Sequence, residues 1–325
     1  MHMADALLSP AVGATMWALS AATLGRSATQ VRRTMDEGRL PFMGVLGAFV
    51  FAIQMLNFAI PGTGSSGHLA GTLFLALLLG PHAAFLTVSS VLVVQALFFA
   101  DGGLLALGCN IFNIGFFPAF VAYPFIVRPL LAGNPGQGRR AFGILLGAVL
   151  GLQFGAFGVV LETVISGRTA LPFKAFLYAM QPIHLAIGLV EGLATLALVG
   201  FLARTRPELL ETQPRSRSAW KGALVVAVMA LVAGGCLSWF ASQRPDGLEW
   251  ALAKVGQHEA EAPVESLHGR FAQAQAQTAL MPDYAFKSGG ESRGATSLAG
   301  VGGGVLTLLI VGGVGIALRP RRKMA

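Results

Sequence analysis

The chain has 325 residues, of which 54% are hydrophobic and only 12% charged, and its mean hydropathy is +0.66. Soluble domains carry about 25% charged residues, so this chain lacks the polar surface to coat a water-facing fold and reads as an all-α polytopic membrane protein. Its 42 glycines follow no G-X-Y period, which excludes collagen, and Cys109 and Cys236 lie singly in apolar runs, which excludes a disulfide framework or a CxxC site.

Apolar runs broken by polar punctuation predict nine spans: 6–24, 40–60, 68–80, 82–100, 107–128, 142–166, 180–203, 219–241 and 298–318. The first lacks a basic leader, so it reads as an uncleaved helix rather than a signal peptide. The third is short for a hydrocarbon core of ~30 Å; it is a partial span or a helix running into the Gly80-Pro81 turn. Lys and Arg cluster in the loops 25–39, 128–141 and 204–221 and in the tail from Arg319. Nine spans with the N-terminus outside and the C-terminus inside put all four clusters in the cytoplasm. The net charge of +8 is then an orientation signal in an inner (cytoplasmic) membrane, facing anionic lipid and cytosolic partners, and not a nucleic-acid surface. Composition shifts near residue 214, which divides the chain into a seven-helix body, 1–214, and a two-helix appendage, 215–325, with a polar external loop at 242–297. The glycine-rich tract from Gly300 to Gly315 lies in an apolar helix and predicts tight packing.

No lysine follows a glycine, so a phosphate-binding P-loop is absent, and any ATP must be hydrolysed by another subunit. The terminus offers different chemistry. In Met1-His2 the α-amine, the His2 amide nitrogen and the imidazole form one potential chelate with three nitrogen donors, a set that suits square-planar Ni(II) or Cu(II); the plainer reading is an ordinary terminal residue. A fourth nitrogen is available from His68, which ends an external loop with no other ionisable group and several glycines; alone it reads equally as an interfacial histidine. Polar groups at the external ends of spans, Asn57, Gln95, Asp101, Asn110 and Asn113, are candidates to orient such ligands or to bond between helices. His184 and Glu191 share a helix face and raise a rival, a standalone proton-coupled carrier. Gly44, Ala48 and Ala52 recur every fourth residue, as do Ala14, Ala18 and Ala22. They pack within the chain or dock a partner membrane subunit.

Several stretches resemble the CbiM/NikM family: Met1-His2…Leu8-Ser9-Pro10, Gln54-Met55-Leu56-Asn57-Phe58, Ser66-Gly67-His68-Leu69, Leu79-Gly80-Pro81, Val94-Gln95-Ala96-Leu97, Asp101-Gly102-Gly103, Asn110-Ile111-Phe112-Asn113, His184-Leu185 and Glu191-Gly192-Leu193. The similarity covers about residues 1–203, and Pro245-Asp246-Gly247-Leu248-Glu249 resembles the signature of a small N component, fused here. The resemblance implies the substrate-binding component of an energy-coupling factor transporter for nickel or cobalt, cobalt serving cobalamin synthesis. It implies metal ligands at Met1, His2 and His68, and Ser66 beside them. It also implies a transmembrane T subunit and ATPase subunits as partners, and no permanent cofactor besides the transported Ni²⁺ or Co²⁺. The Pro-Asp-Gly-Leu-Glu appendage and a planar nitrogen field favour nickel. The loop 242–297 is expected to contact the 61–68 loop and assist metal loading, with Pro245-Asp246-Gly247 as a turn.

Overall fold

A computed structural model describes residues 2–35, 40–133, 135–169, 171–207, 216–256, 265–288 and 292–319. Met1, the boundary at 214/215 and the basic residues Arg39, Arg215, Arg321, Arg322 and Lys323 lie outside them. The helices run α1 Pro10–Thr34, α2 Leu40–Gln54, α3 Thr72–Leu79, α4 Pro81–Phe99 and α5 Leu107–Ile111. A π-helical stretch, Phe112–Val127, follows and leads into α6 Arg128–Leu131, then α7 Gln137–Ser166, α8 Phe173–Thr205 and α9 Ser216–Gly235. After these come α10 Gly247–Lys254, α11 Leu267–Thr278 and α12 Arg293–Ala317. The one sheet among the described residues is a hairpin, β1 Phe58–Ala59 against β2 Ser66–Gly67, with Phe58 opposite Gly67.

Six helical segments among the described residues are long and apolar enough to cross a membrane: 81–99, 107–131, 137–166, 173–205, 221–240 and 293–317. The remaining predicted spans differ for stated reasons. α1 has the length but a more polar composition. The second span stops at Gln54, where the chain turns into the hairpin. The third contracts to α3, whose eight residues cover only ~12 Å at 1.5 Å per residue. Gly71 (φ 73°) precedes α3, and Gly80 (φ 79°) both ends it and starts α4, backbone angles that side chains with a Cβ rarely adopt. Pro81 then opens α4, where its missing N–H costs nothing.

α4 is the central post, with 13 buried residues along its length. Phe51, Phe74, Phe85 and Phe176 are completely buried around it. The outer wall packs through small residues. On α8, Gly188 and Gly192 lie so close to Val149 and Leu145 that an added Cβ would stand about 3 Å from their Cα atoms. The last helix uses its glycines similarly: Gly303 lies against Phe51 and Phe99, and Gly300 against Gly234 of α9. Large apolar side chains point outward from this wall, including Phe125, Ile165, Leu309 and Ile316. Such a surface is tolerable only in hydrocarbon, and the chain is a multi-pass membrane protein.

The Gly44, Ala48, Ala52 face is filled from inside the chain. A Cβ on Gly44 would sit 3.0 Å from the Leu308 carbonyl oxygen of α12, and Ala48 and Ala52 are buried. These positions seat α12 and are not open to a partner subunit. The alanines at 14, 18 and 22 remain exposed.

Candidate metal site

The chain start is threaded into the protein and held from several directions. The Met3 amide donates to Asn110 Oδ1 at 2.7 Å, and Asn110 Nδ2 returns a bond to the Met3 carbonyl at 3.2 Å. The Gly103 amide donates to the same carbonyl. Asp5 accepts from the Ala106 amide at 2.9 Å, and its burial raises its pKa. Leu7 and Leu8 are buried, Arg168 donates to the Ala6 carbonyl, and Ser9 caps α1 by accepting from the Val12 amide. An Ncap serine with proline at N1 is a preferred helix start, so Leu8-Ser9-Pro10 sets where this segment, with its 3-10 turn at Asp5–Leu7, gives way to α1.

These bonds leave the His2 side chain only 8% exposed. Its Nδ1 lies 3.0 Å from Asp101 Oδ1. Its Nε2 is buried, with no hydrogen-bond partner among the described residues. The ring lies parallel to that of His68, with centroids 4.9 Å apart and planes at 2°. Burial pushes the His68 imidazole down to about 3, so it is neutral near pH 7 with a lone pair available to a metal. Asp101 is held well below the usual carboxylate range. Its burial works the other way, but the charge and hydrogen bond of His2 and the Tyr284 hydroxyl outweigh it.

The His68 loop is clamped at both ends. Upstream, the Ser66 amide and hydroxyl donate to the Pro245 and Arg244 carbonyls at 2.8 and 2.7 Å, and Trp250 Nε1 donates to the Thr63 carbonyl. Downstream, the Ala70 and Gly71 amides donate to the two oxygens of Glu191, at 2.8 and 2.9 Å. Gln54 donates to the Ala70 carbonyl. Two consecutive amides beside the start of α3 form a ready carboxylate cradle, which accounts for an acid buried in α8. His184, one face-repeat away, donates from Nδ1 to the Met180 carbonyl at 2.8 Å. Its ring abuts Gly247, where a Cβ would approach His184 Cε1 to 3.0 Å. A void of about 10 Å³ between His68, His184 and Asp246 is about one water in size.

Above the two rings lies a cavity of about 1050 Å³, lined by His2, His68, Asn57, Asp101, Asp246 and Tyr284 among others. Part of its lining comes from the appended unit, through Arg244, Asp246, Glu249, His268, Gln275 and Tyr284. Pro245-Asp246-Gly247, expected as a turn, instead leads into the helix that starts at Gly247. Asp246 caps α10 by accepting from the Leu248 and Glu249 amides, and Glu249 bonds back to the Asp246 amide. This reciprocal capping box aims Asp246 at the cavity and Trp250 at the His68 loop. Further along, His268 Nε2 bonds the Leu8 carbonyl at 2.8 Å, and Gln275 donates to the Ala96 and Gly102 carbonyls.

The structure thus brings His2, His68, Asp101 and Asn57 to one cavity. Ser66 serves the contact with Arg244 and Pro245, and Asn110 holds the backbone at Met3. Gln95 is buried beneath, in contact with the Tyr284 hydroxyl. Asn113 does not join them: its Nδ2 donates to Glu162 Oε2 on α7 at 2.7 Å, because the helix widens into π turns from Phe112 and rotates this side chain away from Asn110. Asp246, His268, Gln275 and Tyr284 are residues the sequence reading missed; the Asp-x-x-Glu spacing was the one available signal. Among the described residues no three His, Cys, Asp or Glu side chains converge on one point; the two imidazoles are the nitrogen donors that come together.

The family model for the cobalt uptake substrate-specific transmembrane region (CbiM) matches residues 2–209, and that for the PDGLE domain matches residues 220–320. The fused nickel transport protein NikMN of Rhodobacter capsulatus is 33% identical over 312 residues, covering 88% of each chain. The cobalt transport protein CbiM of Sorangium cellulosum is 31% identical, covering 65% of this chain and 95% of its own. A crystal structure of a truncated transition metal transporter superposes with a TM-score of 0.56 at 32% identity, covering 63% of this chain and 99% of that one.

Proposed function

Because the chain belongs to the family of cobalt uptake substrate-specific transmembrane proteins (CbiM), we propose that it is the nickel-binding and translocating subunit of an ATP-driven energy-coupling factor importer. ATP hydrolysis belongs to separate ATPase subunits, coupled through a transmembrane T subunit, and the chain itself carries no catalysis. Residues 1–214 form the metal-binding body and 215–325 the appended N component, a division supported by the two family matches. The N-terminus, the His68 loop, the Asp101 turn and the loop 242–297 face outside. Their assembly at one end of the molecule supports that orientation.

One observation carries the reading: the parallel imidazoles of His2 and His68, buried at a threaded chain start. The proposed ligands are the Met1 amine, the His2 amide nitrogen, the His2 imidazole and the His68 imidazole. Fusing the chelate rings requires His2 Nδ1, the atom that now faces Asp101. Metal entry therefore takes this contact over and leaves the carboxylate beside the dication. A planar four-nitrogen field suits low-spin d⁸ Ni(II), while Co(II) more often takes five or six ligands. The NikMN relative that matches both units is named for nickel, whereas the CbiM relative, which matches the body alone, is named for cobalt; this supports nickel as cargo, with cobalt the alternative for the same architecture. The loop 242–297 assists metal loading, a role supported by the bonds of Arg244, Pro245 and Trp250 to the 61–68 loop.

Titrating the purified full chain with Ni²⁺, Co²⁺ and Cu²⁺ tests this reading. One tight nickel per chain is expected, lost in His2→Ala and in His68→Ala. Tight nickel binding by both variants would overturn it. Uptake into proteoliposomes should require ATP and the partner subunits; uptake driven by a proton gradient alone would favour a secondary carrier using His184 and Glu191.

A further inference from the structure

We propose that Tyr284, from the appended unit, is a positioning residue for metal binding: it fixes the Asp101 carboxylate, which faces His2 Nδ1 before the metal enters and stays beside the dication afterwards. The inference rests on the metal-site reading above. The Tyr284 hydroxyl donates to Asp101 Oδ2 at 2.6 Å, and Asp101 Oδ1 faces His2 Nδ1 at 3.0 Å. Each carboxylate oxygen is therefore engaged by a different group, one from each unit of the chain. A carboxylate bonded on one oxygen alone can rotate about its Cβ–Cγ bond; one bonded on both is fixed.

The phenol is itself held. Its ring stacks on Phe99 with centroids 4.9 Å apart and packs edgewise on Phe51 at 6.4 Å. The segment before it is tied to the end of α4, where the Leu280 and Met281 amides both donate to the Phe98 carbonyl. Gln275 pins the other side of the Asp101 turn through the Gly102 carbonyl at 2.6 Å.

Backbone strain points to the same place. Among the described residues, three non-glycine residues have positive φ: Ala100 at 55°, Asp283 at 50° and Tyr284 at 60°. They adjoin the two ends of the Asp101–Tyr284 bond. Such conformations are disfavoured for residues with a Cβ and persist only where surrounding contacts impose them. Ala100 is the left-handed C-cap of α4 and turns the chain into Asp101, while Asp283 and Tyr284 carry the positive φ at the phenol end of the bond.

Groups held in place just outside a metal's ligands tune its binding, and losing one typically weakens binding 10–100-fold. Tyr284→Phe keeps the stack on Phe99 and removes only the hydroxyl. The full-length variant should fold with an unchanged melting profile and bind nickel about tenfold more weakly, near the lower end of that range. Asp101→Asn should weaken binding at least as much, and adding Tyr284→Phe to it should weaken binding no further, because the hydroxyl acts through the carboxylate. Wild-type nickel affinity in Tyr284→Phe, or losses that add in the double variant, would overturn the inference while leaving the metal site standing. His2→Ala measured alongside separates the two failures: if it retains tight nickel, the metal-site reading fails and this inference falls with it.

Discussion

The helical wall and the closed end of this protein are built by different means. The wall, chiefly α7, α8 and the helices flanking them, is held by small residues at close spacing, and Gly188 and Gly192 let α8 lie directly against α7. Its helices meet by close backbone approach, whether the partner is the next helix, as for α7 and α8, or a distant one, as for α12 and α2. The closed end is held by polar bonds between distant parts of the chain: Met3 to Asn110, Ala70 to Glu191, Ser66 to Arg244, Leu8 to His268. The difference teaches where stability and function separate. Packing in the wall makes the body; the long-range bonds at its end turn two histidines into a site.

The comparison can be broken most sharply at the chain start. One extra residue before Met1 removes the terminal amine from the chelate, and calorimetric titration should then show no tight nickel while the melting temperature hardly changes. Glu191→Gln is expected to come next. It takes an acceptor from one of two buried amides and loosens His68, so nickel affinity should fall 10–100-fold, as for other groups behind a ligand. Asn110→Ala leaves the Met3 amide buried without its partner, which costs about 1–3 kcal/mol. Chemical unfolding should read that loss, with a roughly tenfold weaker nickel affinity beside it. Gly192→Leu attacks the wall instead: overpacking should cost ~1–3 kcal/mol, and nickel affinity in the folded fraction should stay near that of the parent. A large affinity loss there would erase the distinction drawn here.

The pH response reads the closed end through stability alone. His68 is lowered to about 3 in the folded chain, against about 6.5 when unfolded. The unfolded chain therefore binds the extra proton first, and its contribution to stability is complete above pH 6.5 and declines as pH falls toward 3. A melting series from pH 7 to 5 on the metal-free protein should show a fall that His68→Gln reduces.

Much of the wall was legible in the sequence. Apolar runs marked the long helices, the Gly80-Pro81 turn marked the break between α3 and α4, and the glycine tract marked tight packing, because each is local chemistry. The third run is apolar enough to resemble a membrane helix, but α3 has only eight residues. His2 and His68 stood out as polar groups at apolar ends. Asn113 was grouped with Asn110 because both lie near the external end of a span, and position along a span does not tell which way a side chain points, least of all where the helix changes to π turns. Tyr284 and His268 lie in a long polar loop whose return to the site depends on contacts more than 180 residues away in sequence. Nothing near them in sequence encodes it. The Asp246–Glu249 spacing was readable as a capping box, and reading it as a turn missed the helix that carries Trp250 to the His68 loop.

The central claim is that the chain's own start and His68 together hold the metal. X-ray absorption of the nickel-loaded full chain, paired with magnetic susceptibility, tests it most directly. The account predicts a diamagnetic nickel in a planar field of four nitrogens. A paramagnetic six-coordinate nickel surrounded mainly by oxygen would contradict it.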